Sequence, residues 1–325
     1  MRPQHLGVAA CALIAVGSFG AGATRYRGGL LRAAGLEHLS YGHGRALMDV
    51  LLTAGIFGLV VAWVLLWKTR PDLAQVRRSV CWWAGVLALS APILSRDVYS
   101  YLMQGAMLRD GFDPYSEGAA VNPGPYLWEV SHDWRNTTTP YGPLHLGVGK
   151  AVTWLVGENV TAGLVVYRLI SLAGFALIVW ALPRIAKQIG GDPALALWLG
   201  AANPVMLLHL IGGMHNEAVM VGLVSVGLLS CLRSRWCTPG IALIALAVSL
   251  KATAAVALPF VVWLMIKRRS TTTLGAAGML VAGGAWAVAV NAAVIQLVTW
   301  ASGTTWGWLE EITGNSKVIL SLIHI

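Results

Sequence analysis

Apolar residues run along this chain in long blocks, and polar residues are confined to short clusters between them. Blocks at about 6–24, 46–67, 79–95, 160–182, 194–211, 218–232, 238–250, 252–266 and 274–300 predict helices. Several reach the roughly 18–20 residues that cross a bilayer. The pattern therefore predicts an all-α, polytopic transmembrane protein with about nine spans. Three blocks are short. The stretch 238–266 is too long for one crossing and barely enough for two, which predicts a tight hairpin with Lys251 at its apex. Pro143 to Gly157 is too short and polar for a span and reads as an interfacial helix. No soluble domain, low-complexity tract or repeat separates the blocks, so residues 1–325 read as a single transmembrane domain. Leu6 to Ala23 reads as an uncleaved first span, because many further spans follow it.

Composition agrees. The chain is 57% hydrophobic and 11% charged, against about 45–50% and 25% for soluble domains. Its net charge of +9 does not point to nucleic acid, because the basic residues fall in short clusters between apolar blocks. Lys68 to Arg78, Arg184 to Lys187, Arg233 to Arg235 and Lys267 to Arg269 look like cytoplasmic loops under the positive-inside rule. A cytoplasmic N-terminus satisfies all four clusters. Only the loop 25–45, with Arg25, Arg27, Arg32 and Arg45, runs against it. Cys11, Cys81, Cys231 and Cys237 show no metal-binding or disulfide spacing. Two glycosylation sequons, at Asn136 and Asn159, are too short a motif to carry weight.

This sidedness sends Asp97 to the outer face at the start of a long external loop, 96–142. Together with the interfacial helix, residues 96–158 become the expected catalytic segment, since long unstructured loops are usually functional. His215-Asn216-Glu217 and Lys251 arrive at the same face. Asp97 reads either as a helix cap or partner of Arg96, or as a catalytic acid at the membrane boundary, and the second is favoured. An acid beside apolar surface has its charged form disfavoured, which suits a general base. Tyr99 and Tyr101 either pack or line a sugar site. His215, Asn216 and Glu217 form either a hydrated turn or a dense set of donors and acceptors for a hydroxyl-rich or phosphate ligand. Lys251 lies far from either end of its apolar stretch, so snorkelling is hard and an anionic ligand is favoured. Asn203-Pro204 and Pro259 read as helix breaks. Pro140 to Pro143 predicts a rigid turn, and Trp300, Trp306 and Trp308 fit either an interfacial belt or a sugar-facing loop.

Taken in order, "SRDVYSY", "GFDPY", "TPYGPL", "HNE" and "LKATA" resemble the GT-C glycosyltransferases. More narrowly, they are similar to the actinobacterial polyprenol-phosphomannose-dependent α-(1→6)-mannosyltransferases, over about Leu89 to Gly314. The resemblance implies an inverting enzyme that moves mannose from polyprenyl-phosphate mannose to a mannan-type glycolipid, with its site outside the cytoplasmic membrane. It implies Asp97 as catalytic base on the acceptor hydroxyl. Arg96, Tyr99, Tyr101, His215, Asn216, Glu217 and Lys251 become substrate- or donor-binding candidates, with Lys251 on the lipid phosphate. No cofactor is expected, and a two-ligand pair such as His215 and Glu217 is a weak metal signal. Membrane lipids are the remaining partners. Family members usually continue for several more spans, whereas this chain stops after "TTWGWLEEITGNSKV", and "LSLIHI" reads as adapter-like sequence. The expectation is an N-terminal portion of a longer enzyme. A transporter or lipid-linked sugar flippase is the alternative, and a scaffold subunit a third; neither explains one-sided clustering of polar groups without a repeat.

Overall fold

The computed structural model describes residues 2–234 and 237–313, and all regular structure among them is helical. Arg235 and the closing residues from Gly314 onward, "LSLIHI" included, lie outside the described residues. In chain order the main helices are α1 (Pro3–Ala21), α2 (Gly42–Lys68), α3 (Leu73–Leu87), α4 (Asp97–Arg109), α5 (Pro143–Val156) and α6 (Val160–Gln188). They continue with α7 (Pro193–Gly200), α8 (Pro204–Gly212), α9 (Glu217–Arg233), α10 (Thr238–Val248), α11 (Leu258–Arg269) and α12 (Thr273–Ser302).

Helices α1, α2, α6 and α12 are long and apolar enough to cross a bilayer. The pair α7 and α8, bent by 50°, makes a fifth if taken as one span. The chain is thus a helical membrane protein, as its apolar blocks predict, but nine spans are not confirmed. Helices α3, α9, α10 and α11 have 15, 17, 11 and 12 residues. At 1.5 Å per residue they extend about 17–26 Å, short of the roughly 30 Å hydrocarbon core.

The expected loop 96–142 needs a correction, because its first part is helix α4. Val98, Leu102 and Ala106, with Met103 and Met107, recur at helical spacing and are all buried. Thirteen residues interrupted by Ser100 and Gln104 are too short and polar to stand out as a span. Gly111, at φ 95°, closes the helix. The rest of the segment to Gly142 is irregular apart from short 3-10 turns.

The chain folds into two compact units, each built from two separated segments: Met1–Tyr99 with Leu164–Ala218, and Ser100–Gly163 with Val219–Ile325. In the first unit α1 packs along α2 and against α3. A Cβ at Gly55 would stand 2.8 Å from the Ala10 carbonyl oxygen, so glycine there lets two apolar backbones touch. Trp63 and Trp198 stack at 4.3 Å, and each indole N–H donates to the other residue's carbonyl at 3.0 Å. A capping box at Asp72 and Gln75 starts α3. The Asn203 side chain accepts from Val205 N and starts α8, so the predicted break at Asn203-Pro204 stands.

In the second unit α12 packs on α5, α10 and α11 around Leu146, Ile241, Ile244, Val261 and Ile295. A Cβ on Gly105 would fall 2.2 Å from the Gly149 backbone, so α4 and α5 touch main chain to main chain. The predicted turn at Lys251 is present. Helix α10 ends at Val248, Lys251 is extended (φ −153°, ψ 126°), and a 3-10 segment, Ala252–Ala257, leads into α11. Pro259 sits in the first turn of α11, where its missing N–H costs nothing.

Candidate active site

Asp97 occupies the first turn of α4, where aligned peptide dipoles favour negative charge. Its Oδ2 lies 3.3 Å from His215 Nδ1, and that nitrogen lies 3.8 Å from Glu217 Oε2. The imidazole thus stands between two carboxylates that sequence places far apart. About a third of the Asp97 side chain is exposed (32%), against 17% for His215, so the acid is reachable while its partner is held. Asn216, between the histidine and the glutamate, is buried. Both approaches to the cluster are tight. Leu94 and Met214 adopt left-handed φ values of 64° and 54°, a conformation that side-chain-bearing residues keep only where the surroundings enforce it. Immediately before Gly213, Leu207–Gly212 is a π-helical turn, a geometry that recurs at functional sites.

Arg168 explains how these two approaches are held, and the sequence reading passed over it. From the middle of α6 it reaches across the first unit, buried, and donates to the carbonyls of Ser90 (2.8 Å), Gly212 (3.3 Å) and Ile211. Ser90 opens the segment leading to Asp97, and Gly212 stands three residues before His215. Ile93 N also donates to the Gly212 carbonyl at 3.2 Å. One planar guanidinium therefore ties together the two chain segments that carry the acid and the histidine. The available signal was a lone arginine inside a long apolar block, which defaults to a functional reading.

Arg96 and Tyr99 are placed as packing around that cluster. Tyr99 is buried and its hydroxyl donates to Ala23 O at 2.8 Å. Arg96 donates to Thr24 O at 2.6 Å and lies 3.6 Å above the Tyr26 ring. Both side chains fasten the start of α4 to the segment after α1.

Tyr101 and Lys251 belong to the second unit. There Lys251 Nζ faces the Tyr141 ring at 5.7 Å. Tyr141 in turn packs on His145 (4.4 Å between ring centres), and Tyr101 meets His145 edge-on at 4.6 Å. The turn at Pro140–Pro143 is docked on the Lys251 segment by Gly142 N donating to Leu250 O (3.1 Å) and Leu144 N to Ser249 O (2.9 Å). His145 is a second residue that sequence reasoning missed. Burial, with the charge of Lys251 adding to it, pushes its imidazole down to about 3, so it stays neutral and serves packing rather than proton transfer.

That shift carries a prediction. The unfolded chain protonates this histidine below its ordinary value of about 6.5, whereas the folded one resists until about 3. The stability it confers is full above the ordinary value and is lost as pH falls toward the folded one, by about 1.4 kcal/mol per pH unit. Thermal unfolding in detergent between about pH 7 and pH 5 should therefore steepen in the wild type and flatten in His145→Gln. Parallel curves would remove the buried neutral histidine.

Among the described residues, no group of three or more His, Cys, Asp or Glu is placed to hold a metal ion. What is present is a carboxylate beside an imidazole in the first unit and, within the second, a lysine set among aromatics. The apolar helices make this a helical membrane protein, and its relatives place it in a glycosyltransferase family. The sequence model of a family described as "Alpha-(1->6)-mannopyranosyltransferase, N-terminal domain" matches residues 4–267. The chain is 53% identical to α-(1→6)-mannopyranosyltransferase A of Corynebacterium glutamicum, over 94% of this chain and 67% of that protein. It is 40% identical to α-(1→6)-mannopyranosyltransferase A of Mycobacterium tuberculosis, over 98% of this chain and 62% of that one. A probable α-(1→6)-mannopyranosyltransferase of Mycolicibacterium smegmatis is 32% identical over 98% and 62%. The chain belongs to the α-(1→6)-mannopyranosyltransferase family. It spans about two thirds of the length of these curated relatives. No solved structure matches it.

Proposed function

We propose that this protein transfers mannose from polyprenyl-phosphate mannose to a mannan-type glycolipid, at the outer face of the cytoplasmic membrane, with inversion to an α-(1→6) linkage. The observation that carries this reading is the partly exposed Asp97 carboxylate, 3.3 Å from His215 Nδ1. An acceptor hydroxyl delivers its proton to Asp97 as its oxygen bonds to the anomeric carbon. The bond from that carbon to the phosphate oxygen breaks on the opposite side, and the lipid phosphate leaves with the electron pair. A β-linked donor then gives an α product. His215 holds the carboxylate in place, and the Glu217 carboxylate lies 3.8 Å from the same His215 nitrogen. Lys251 is assigned the lipid phosphate, whose charge grows as it departs. The positive-inside clusters support this sidedness. The bent pair α7–α8 is a feature shared with transporter paths, but family membership favours transfer chemistry.

The donor assignment is tested with Lys251→Met in membranes carrying the intact protein. Losing a charge-assisted contact to phosphate should raise the KM for polyprenyl-phosphate mannose by roughly 10- to 100-fold, with a smaller effect on the acceptor. An unchanged donor KM would take Lys251 out of the phosphate site.

A further inference from the structure

Helices α1 and α2 are both long and apolar enough to cross a bilayer, and they pack along each other. The chain that joins them therefore lies where the pair meets a membrane surface. Its residues 25–45 hold four arginines, Arg25, Arg27, Arg32 and Arg45, against the single acid Glu37. Arg27, Arg32 and Arg45 are exposed, and so are Tyr26, Leu30, Leu36 and Tyr41. Arg32 meets Glu37 at 3.0 Å and Arg45 meets Asp49 at 3.9 Å. Both pairs stand in solvent, where such contacts hold a side chain only weakly.

The segment is a held surface rather than a loose tail. A Cβ at Gly20 would collide with the Leu39 carbonyl, so the 3-10 turn Glu37–Ser40 is seated on the end of α1. Its beginning is fastened to the start of α4, by the Tyr99 hydroxyl on Ala23 O and by Arg96 on Thr24 O. The Arg96 guanidinium also covers the Tyr26 ring. All of these residues, with Asp97, belong to the first unit.

The mixture of side chains narrows the counterpart. Free phosphate would meet the arginines but leave the tyrosines and leucines between them in water. The arginines are also spread along the segment rather than converged on one point. A bilayer surface rich in acidic phospholipid meets both needs. Its phosphates face the arginines, and the boundary below the head groups receives the aromatic and aliphatic side chains.

We propose that residues 25–45 are a docking surface for the head groups of anionic phospholipids, and that they seat the Asp97 end of the first unit against the membrane surface. The test uses the intact protein in phosphatidylcholine vesicles, with a fluorophore on the exposed position Ala34→Cys and the exposed native thiol removed as Cys81→Ser. A small, fixed fraction of the lipid is brominated near its head group, as phosphatidylglycerol or as phosphatidylcholine, and the quenching is compared. Each arginine near the surface favours anionic lipid by about fivefold, and the pairs with Glu37 and Asp49 take back part of this. Phosphatidylglycerol should therefore be enriched at the segment by roughly tenfold or more. Substituting R25Q, R27Q, R32Q and R45Q together should bring the ratio close to one, whereas four lysines should keep it. About 1 M salt should also collapse it, since screening then shortens the reach of charge to about 3 Å. Equal quenching by the two lipids in the wild type overturns the docking surface. A preference that survives in the glutamine variant does so too, as does a lysine variant that is as indifferent as the glutamine one.

Discussion

Replacing the acid by its amide, Asp97→Asn, is expected to lower mannosyl transfer by roughly 100- to 10,000-fold, the usual worth of a positioned general base. The amide keeps the shape and can still accept one hydrogen bond, so α4 and the contact with His215 remain while the proton acceptor is gone. The loss should fall on kcat and on kcat/KM alike, because the proton moves in the transition state rather than on binding. Asp97→Glu keeps a carboxylate but carries it one methylene away from His215 Nδ1, now 3.3 Å distant; part of the activity should survive. Initial rates in membranes with matched protein levels check both. Wild-type rates in the Asn variant would remove Asp97 from the chemistry.

Arg168→Leu should produce the largest loss of structure. It removes charge-assisted bonds to the carbonyls of Ser90, Ile211 and Gly212 from a buried site. Gly212 O keeps the N–H of Ile93, but no other donor to Ser90 O is seen among the described residues. The expected cost is about 2–4 kcal/mol, after allowing for the desolvation that the arginine no longer bears. At temperatures where the variant remains folded, kcat should still fall by roughly tenfold or more, because the segments carrying Asp97 and His215 lose their common anchor. Arg168→Lys keeps the charge without the planar fork and should recover stability more than rate. Thermal unfolding and rates measured together distinguish the two effects. A folded Arg168→Leu protein with unchanged kcat would make this arginine merely structural.

Much of the fold was legible because apolar blocks declare themselves: the four long helices and the kink at Asn203-Pro204 follow the hydropathy pattern. Helix α4 was not, because its run of buried residues from Val98 to Met107 is broken by Ser100 and Gln104, a signal too short for a span and hidden beside a charged cluster. Helices α10 and α11 were counted among the nine spans for their apolarity; at 11 and 12 residues their lengths do not confirm two crossings. Sidedness could bring Asp97 and His215 to one face of the membrane. It could not reveal that they are in contact, which depends on the left-handed turns at Leu94 and Met214 and on Arg168 behind them. Tyr99 read as either packing or sugar lining, and its hydroxyl is fastened to Ala23; a tyrosine hydroxyl serves either purpose equally well, so sequence alone could not choose.

Inverting transfer from a lipid-linked donor is tested most directly by the fate of one labelled sugar. Membranes carrying the intact protein receive β-linked polyprenyl-phosphate mannose, radiolabelled in the mannose, and a short α-mannoside acceptor; the new linkage is read by NMR. Label should enter an α-(1→6)-linked product with the wild type and stay at background with Asp97→Asn. A β-linked product, or equal labelling with Asp97→Asn, would contradict it.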